Sequence, residues 1–331
     1  MKAILLTSFG PPSQLTYGDA PVPVPKDDEA LVQVVASSVN PADYYRVTSA
    51  SFLVRLFSGN GLFKPKRPLT GSDVAGVVRS VGRSVRKFHP GDEVVGMCLG
   101  AYAEYVTVPE KDLARKPANV SFAAAGTLPI AGYTALQALR THGGVAPGMK
   151  VLICGASGGV GHFAIQLAKA LGAEVTAVCS SGKVEAARAL GANQVLDYTR
   201  ENFADRPDRY DVILVINGRH PLREYRHVLA PGGVCVMIGG AIGQILRVLL
   251  LGKLRGRSRP APVRAFIAKS NSDDLEFLLA LLASGRVRPT IDDTYPLPEV
   301  PRALDRLHEG PSTGKIAISV APAPPSVSAA T

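Results

Sequence analysis

Residues 150–161 read Lys150-Val-Leu-Ile-Cys-Gly-Ala-Ser-Gly-Gly-Val-Gly161. The apolar run after Lys150 indicates a buried strand, and the glycine-rich run leads into apolar positions at helical spacing that end at Gly172. A strand, a glycine loop and a helix in this order form a phosphate cradle, because unhindered backbone N–H groups at a helix N-terminus attract an anion. The pattern predicts a dinucleotide site, and a plain tight turn is the alternative. The residues predicted to contact the pyrophosphate are Ser157, Gly158, Gly159 and Val160.

Strand-like and helix-like segments alternate on the carboxyl side of this loop. Strands separated by helices of this length indicate βαβ units and a parallel sheet. We therefore expect an α/β fold with a Rossmann domain, a doubly wound parallel sheet, over residues 123–268. The predicted strands cover residues 174–179, 194–198, 210–216 and 233–238, and the predicted helices cover residues 183–190 and 222–229.

The segments on either side have a different texture. Residues 1–122 contain short β-branched runs separated by proline and glycine, which predict a β-rich domain. Residues 40–68 show little periodicity and are interpreted as a long loop. Residues 269–320 return to strands and turns, with helices near 272–282 and 300–308, and are expected to complete the β-rich domain. The Pro/Ser/Ala-rich residues 321–331 predict a disordered tail.

Composition excludes several classes of protein. The 331-residue chain is 46% hydrophobic, which excludes an intrinsically disordered chain. Its net charge is +10, but it has no block of like charges and no Trp, so we expect no nucleic-acid partner. The four cysteines are far apart, which is typical of reduced thiols rather than of disulfides or zinc ligands. No apolar run approaches transmembrane length, and we expect a cytoplasmic protein.

Residues 243–259 combine an apolar stripe with five basic side chains. Such a segment can lie on an anionic membrane surface. A helix at the substrate entrance or at a dimer contact is the alternative, and we favour it over peripheral membrane contact.

The end of the second predicted strand indicates which dinucleotide binds. An NAD site usually carries an acidic residue about 20 residues after the glycine loop, where it binds the ribose 2′-hydroxyl. This chain has Cys179-Ser-Ser-Gly-Lys183 there, with no carboxylate before Glu185. Hydroxyl groups and a lysine suit a 2′-phosphate, so we expect NADPH. The alternative is that Lys183 is simply an exposed lysine in the first turn of a helix.

Five more segments accompany the glycine loop: Val39-Asn-Pro-Ala-Asp43, Gly71-Ser-Asp-Val-Ala-Gly-Val-Val78, Pro90-Gly-Asp-Glu-Val-Val-Gly96, Gly100-Ala-Tyr-Ala-Glu-Tyr105 and Ala131-Gly-Tyr-Thr-Ala-Leu136. With them the chain resembles the medium-chain dehydrogenase/reductases, and within them the zinc-independent, quinone-oxidoreductase-like branch. The resemblance implies a GroES-like catalytic domain, NADPH in the cleft between the domains, and a homodimer. The cofactor contacts that it implies are Asn40 and Thr134 at the nicotinamide end, Ser180, Lys183 and Tyr198 at the 2′-phosphate, and Asn217, Ile238, Gly239, Gly240 and Lys315 around the ribose and nicotinamide.

A zinc site is not expected. Zinc needs three or four converging Cys, His or carboxylate ligands. Zinc-dependent relatives carry a cysteine and a His-Glu pair where this chain has Asn40 and Ser72-Asp73. Their four-cysteine lobe is also missing between Gly96 and Ala101.

Without zinc, the acceptor must already be activated by conjugation, so the resemblance implies hydride transfer to a quinone or an α,β-unsaturated carbonyl. Two alternatives stay open: an enoyl-thioester reductase acting on acyl carriers, and a non-catalytic NADPH-binding partner protein. The candidate catalytic residues are Asn40, Tyr44 and Tyr45, although solvent could equally supply the proton.

Overall fold

The computed structural model describes residues 1–48, 65–218, 220–239, 263–310 and 312–322. Three predicted features therefore lie wholly or mainly outside the described residues: Gly240, the basic segment 243–259 and the tail 321–331. None of the helices within the described ranges is long and apolar enough to span a lipid bilayer.

The strands of the described residues form three sheets. Strands β1 (Lys2–Leu5) and β2 (Thr16–Asp19) pair with each other, and the rest divide between a seven-stranded mixed sheet and a six-stranded parallel sheet. The remaining strands are β3 (Glu29–Ser38), β4 (Asp73–Val81), β5 (Glu93–Met97), β6 (Tyr105–Pro109), β7 (Leu113–Arg115), β8 (Lys150–Cys154), β9 (Glu174–Cys179), β10 (Gln194–Asp197), β11 (Tyr210–Val215), β12 (Leu229–Met237), β13 (Val263–Ala265), β14 (Ile291–Pro296) and β15 (Lys315–Ser319).

The α-helices of the described ranges surround these sheets. They are α1 (Pro41–Thr48), α2 (Phe122–Gly126), α3 (Pro129–Gln137), α4 (Gly161–Ala170), α5 (Val184–Ala189), α6 (Leu222–His227), α7 (Ser272–Ala283) and α8 (Val300–Glu309). A π-helix, Ala138–Gly143, continues α3.

The parallel sheet has the strand order β10-β9-β8-β11-β12-β13. The chain runs outward from β8 to β10 on one side and then from β11 to β13 on the other, so the connection reverses between β8 and β11. Ligands of such sheets bind at the carboxyl edge beside this reversal. Residues 151–154 of β8 are at most 4% exposed, because helices cover both faces of a parallel sheet. Helix α4 has eight buried residues, and this close packing gives the glycine loop a rigid support.

The mixed sheet has the order β14-β15-β3-β4-β5-β7, with β6 also paired to β3. Strand β15 pairs antiparallel with β3, which brings the end of the chain back to its N-terminal part. The expected α/β fold, with a β-rich domain and a doubly wound parallel sheet, is confirmed. The limits proposed for the domains stay a prediction; helix α7 packs Leu275, Leu278 and Leu279 into the same core as α3 and α4.

The interpretation of residues 40–68 as a loop is wrong at its start, where α1 forms. Proline suits the first position of a helix, because its missing N–H would have no intrahelical acceptor there. The Asp43 carboxylate accepts a hydrogen bond from the Asn40 backbone N–H at 3.0 Å, which is half of a capping box. Asn40-Pro-Ala-Asp43 is therefore a sequence signal for the start of a helix. It was missed because the apolar residues that follow it show little helical periodicity. Residues 49–64 lie outside the described residues.

Helix α7 begins with a side-chain cap that we expect to contribute to stability. Asn271 Oδ1 accepts from the Asp274 backbone N–H at 2.8 Å. Replacing Asn271 with Ala should lower the free energy of unfolding by about 1 kcal/mol, since an N-terminal N–H loses its acceptor. Asn271→Ser, which keeps a capping oxygen, should recover most of it. Chemical denaturation measures both, and equal destabilisation by Ala and Ser would contradict the role of the cap.

Candidate active site

The glycine loop joins the carboxyl end of β8 to the N-terminus of α4. Gly155 has a φ of +89°, which glycine adopts without strain. A Cβ on Gly161 would lie 2.2 Å from the Gly155 carbonyl oxygen, so only glycine allows the strand and helix to pack this closely. The backbone N–H groups of Ser157, Gly159 and Val160 donate to no acceptor among the described residues. These donors at a helix N-terminus fit the pyrophosphate of a dinucleotide.

His162, the second residue of α4, supports this loop from beneath. Its side chain is fully buried, and Nδ1 lies 3.1 Å from the Gly158 carbonyl oxygen. Because a carbonyl only accepts, Nδ1 carries the proton in this contact. Burial, together with the positive charge of Lys315, lowers the pKa of His162 to about 4. The imidazole is therefore neutral near pH 7, and the loop does not gain a positive charge from it.

The predicted 2′-phosphate residues lie at the carboxyl ends of two adjacent strands. Ser180 follows β9, Tyr198 follows β10, and these strands end side by side with Cys179 opposite Asp197. Lys183 closes the 3-10 turn after β9, and its Nζ donates to the Ser312 carbonyl oxygen at 2.7 Å. Its pKa is lowered, mainly by burial.

Asp197 is a carboxylate near this end that the sequence analysis did not consider. It accepts hydrogen bonds from the Ser181 hydroxyl at 2.5 Å and from the Thr199 hydroxyl at 2.7 Å. These hydrogen bonds, that of Ser181 most strongly, lower the pKa of Asp197. Local donors therefore already occupy both oxygens of this carboxylate, which ends β10 and not β9.

The predicted nicotinamide-side residues lie next to the glycine loop. The Asn217 N–H donates to the Cys154 carbonyl oxygen at 3.3 Å, which places it at the end of β8. The Ile238 N–H donates to the Val215 carbonyl oxygen at 2.9 Å. A Cβ on Gly239 would lie 2.3 Å from the Ile216 carbonyl oxygen, so glycine is required for this close approach. Asn217, Ile238 and Gly239 thus share the carboxyl edge of β8, β11 and β12.

A buried polar cluster lies where α1, β4 and β15 begin, and we call it the Asp73 cluster. Asp73 is fully buried, and its Oδ1 accepts from the Ile130 backbone N–H of α3 at 2.8 Å. Its Oδ2 accepts from the Ser38 hydroxyl at 2.6 Å, from Asn40 Nδ2 at 2.8 Å and from Lys315 Nζ at 3.4 Å. The other members are Asp43, Ser72 and Tyr102.

Asp43 is the second carboxylate of the Asp73 cluster. It accepts from the Ser72 hydroxyl at 2.5 Å, from the Tyr102 hydroxyl at 3.1 Å, and from the backbone and side chain of Asn40 at 3.0 and 3.2 Å. Burial, reinforced by the charge of Asp73, raises the pKa of Asp43. Burial also lowers the pKa of Lys315, whose ammonium is the cation bonded within the cluster. Protein groups thus donate to both oxygens of each carboxylate, so the members of the cluster satisfy one another's hydrogen bonds.

The structure brings some of the predicted residues together here. Asn40 lies at the centre of the cluster, and both ends of its amide have partners: Oδ1 accepts from Lys315, and Nδ2 donates to Asp73. Thr134 lies one turn along α3 from Ile130 and donates its hydroxyl to the Ile130 carbonyl oxygen. The Lys315 ammonium faces the cluster. The importance of Asp43 and Asp73 was not predicted, although a charged residue inside the apolar run after Ser72 is a signal that could have identified Asp73.

The two candidate catalytic tyrosines lie apart from these contacts. Tyr44 stacks on His308 of α8, with ring centroids 4.2 Å apart. Tyr45 is about half exposed and meets the edge of Tyr44. Their catalytic role stays a prediction.

The donors at this site do not fit a zinc ion. No group of three or more His, Cys, Asp or Glu side chains in the described ranges is arranged to hold a metal. Asp43 and Asp73, the two carboxylates of the Asp73 cluster, each accept four hydrogen bonds from protein groups.

Comparison with known protein families shows which superfamily the chain belongs to. Residues 26–118 match the alcohol dehydrogenase GroES-like domain, and residues 190–318 match a family described as zinc-binding dehydrogenase. The chain is 35% identical to the 2-methylene-furan-3-one reductase of Solanum lycopersicum, over 97% of this chain and 80% of that protein. It belongs to the medium-chain dehydrogenase/reductases, in the quinone-oxidoreductase-like branch. The resemblance inferred from the sequence is confirmed.

Two more members of the superfamily agree with this assignment. The NADPH-dependent alkenal/one oxidoreductase of Arabidopsis thaliana is 34% identical, over 96% of this chain and 79% of that protein. The solved structure of the quinone oxidoreductase from Coxiella burnetii superposes with a TM-score of 0.85 at 31% identity, covering 97% of this chain and 99% of that one.

The close packing at Gly161 gives a direct test of the glycine loop. Gly161→Ala should weaken NADPH binding by at least about tenfold and lower the melting temperature, because its Cβ cannot fit 2.2 Å from the Gly155 oxygen. Gly18→Ala in β2, away from the glycine loop, is the matched control, since a Cβ there would meet only the flexible end of Leu5, at 3.3 Å. Fluorescence titration and thermal unfolding measure both effects. NADPH affinity equal to that of the control would contradict this account of the loop.

The neutral state of His162 makes stability depend on pH. Its pKa is about 4 in the folded protein, against about 6.5 in an unfolded chain, so below pH 6.5 the unfolded state binds the proton first. The protonation of His162 therefore does not lower the free energy of unfolding above about pH 6.5. As pH falls toward 4, it lowers that free energy by up to about 3 kcal/mol. His162→Asn cannot take up this proton and should show a shallower decline. Denaturant unfolding at pH 7.5, 5.5 and 4.5 compares the two, and identical declines would contradict the neutral assignment.

Proposed function

We propose that this protein is an NADPH-dependent reductase that transfers a hydride to a quinone or to an α,β-unsaturated carbonyl. The observation that carries the proposal is the pairing of an open phosphate loop with a 2′-phosphate cradle in which Lys183 supplies a positive charge. Asp197, the carboxylate that ends β10 beside this cradle, already accepts hydrogen bonds from Ser181 and Thr199. The relatives named above act on a furanone, on alkenals and enones, or on quinones, which supports the choice of acceptor.

Each part of the site has a distinct task in this reaction. NADPH, when bound, supplies the hydride. The loop from Ser157 to Val160 holds the pyrophosphate with backbone N–H groups, and Ser180, Lys183 and Tyr198 bind the 2′-phosphate. Asn217, Ile238 and Gly239 border the ribose and nicotinamide, opposite Asn40 and Thr134. These residues orient the reacting carbon atoms, which is the main contribution of a protein to hydride transfer.

The residues of the site restrict which substrates can accept the hydride. The residues of the Asp73 cluster do not fit a zinc ion that would polarise an isolated carbonyl. Conjugation must then carry the negative charge that develops when hydride adds, as in an enone or a quinone. The proton that completes the reaction comes from Tyr44, Tyr45 or solvent.

A small panel of acceptors tests the function. We expect NADPH to be consumed with a p-quinone or a linear enone, and not with a simple saturated ketone. Turnover restricted to an acyl-thioester would favour the enoyl-thioester alternative, and tight NADPH binding with no turnover would favour a binding role. Activity with the saturated ketone alone would contradict the proposal.

Lys183 should determine the preference for NADPH. Lys183→Met should weaken NADPH binding by at least about tenfold and leave NADH binding unchanged, because only NADPH carries the 2′-phosphate. Lys111→Met is the control: it makes the same change of charge at an exposed lysine with no hydrogen-bond acceptor among the described residues. Fluorescence titration gives the affinities, and equal losses for both cofactors would overturn the assignment.

We also propose a homodimer in the cytoplasm. β13 pairs with β12 and with no other strand of the described residues, which leaves an edge of the kind that can pair with a second copy, and the cysteines are free thiols, as in a reducing compartment. Light scattering after size-exclusion chromatography measures the mass, and a monomer would contradict the dimer. Cell fractionation tests the location.

A further inference from the structure

Lys315 connects the phosphate loop to the Asp73 cluster through two separate parts of its side chain. A Cβ on Gly159 would lie 3.1 Å from Lys315 Cδ, so the aliphatic stem packs directly against the loop. The backbone beside it is also attached, because the Gly314 N–H donates to the Ser157 carbonyl oxygen at 2.9 Å. The start of β15 therefore supports the loop from the catalytic domain.

The ammonium at the other end of this side chain is fully engaged. Nζ donates to Asn40 Oδ1, to the Val39 carbonyl oxygen at 3.3 Å and to Asp73 Oδ2 at 3.4 Å. An ammonium group has three hydrogens, and three acceptors are present. Lys315 is also only 3% exposed. In this arrangement it has no N–H left for a phosphate of the cofactor.

This engagement determines how the Asn40 amide is oriented. An amide has an acceptor end and a donor end, and the two would exchange if the group turned over. Here the acceptor end meets the Lys315 ammonium and the donor end meets the Asp73 carboxylate. Turning the amide over would place its NH2 group against the ammonium and its oxygen against a carboxylate. Opposite charges on the two sides thus keep Asn40 in one orientation.

The geometry assigns Lys315 the role of a positioning residue, which fixes the Asn40 amide relative to the phosphate loop and does not itself bind the cofactor phosphates. The inference rests on the proposed function, since Asn40 is the residue expected beside the nicotinamide. It changes the expectation drawn from the family, which counts Lys315 among the cofactor contacts. The stem sets the distance between loop and cluster, and the ammonium sets the orientation of the amide.

Lys315→Met separates the two roles, because methionine keeps an unbranched stem and removes the charge. A positioning role predicts a dissociation constant for NADPH within about threefold of that of the wild type, with unchanged salt dependence, and kcat reduced at least about twentyfold. A phosphate ligand predicts the reverse: a dissociation constant at least about tenfold higher, weaker salt dependence, and kcat preserved at saturating NADPH. That second result would overturn the inference.

A double-mutant cycle tests whether Lys315 acts through Asn40. If it does, Lys315→Met should lower kcat in the wild type and change it little in Asn40→Ala, where no amide remains to orient. A general loss of structure would instead lower kcat by similar factors in both backgrounds, and this outcome also contradicts the inference. Thermal unfolding of all four proteins accompanies the kinetics.

One variant of this cycle needs a safeguard, because removing the ammonium leaves Asp43 and Asp73 buried without their cation. If Lys315→Met does not fold, the cycle is run with Lys315→Met/Asp73→Asn, which removes one charge of each sign, against Asp73→Asn alone. The inference again requires that the loss of kcat depend on Asn40, and similar losses with and without Asn40 again contradict it. Failure of the proposed function is distinguishable, since a wild-type protein that turns over no acceptor contradicts the function, whereas the NADPH titrations still decide whether Lys315 binds phosphate.

Discussion

The rest of this structure depends on the hydrogen bonds that the buried Asp73 carboxylate accepts. It is fully buried and accepts hydrogen bonds from four parts of the chain: Ser38 at the end of β3, Asn40 before α1, Ile130 in α3 and Lys315 in β15. A buried carboxylate is costly unless such donors and a cation satisfy it. The requirement acts as a geometric constraint, because these segments must meet at one point for the charge to be tolerated.

The constraint also joins the two halves of the molecule. Ile130 belongs to α3, which packs beside α4 and the parallel sheet, whereas Ser38 and Lys315 belong to the mixed sheet. The phosphate loop rests on Gly314 and Lys315 from the same side. A displacement of the β15 backbone or of the Lys315 stem would therefore move the cofactor loop, whereas a change confined to the Lys315 ammonium acts on the Asn40 amide. Rigid support of this kind holds the reacting atoms at a fixed distance and angle, as hydride transfer requires.

Much of the fold was predictable because its signals are local. The strands from β8 to β12 and the helix after the glycine loop follow from apolar runs, helical periodicity and glycine. The start of α1 was misread because its signal is a capping pattern around Asn40 and Asp43, not apolar periodicity. The position of the glycine loop between a strand and a helix could also be predicted, since all three lie within about 20 residues of sequence.

The sequence by itself determined the α/β fold, the position of the phosphate loop, the absence of an available carboxylate at the end of β9, and the superfamily. Each of these is carried by short contiguous segments of the chain. Only the tertiary structure decided that Asn40, Asp73 and Lys315 form one cluster, although Asn40 and Lys315 are separated by 275 residues. It also decided that the Lys315 ammonium faces Asn40 and that Ser181, which follows the neighbouring strand, donates to Asp197. Such pairings depend on which strands become neighbours in a sheet, and residue type and local spacing do not specify them.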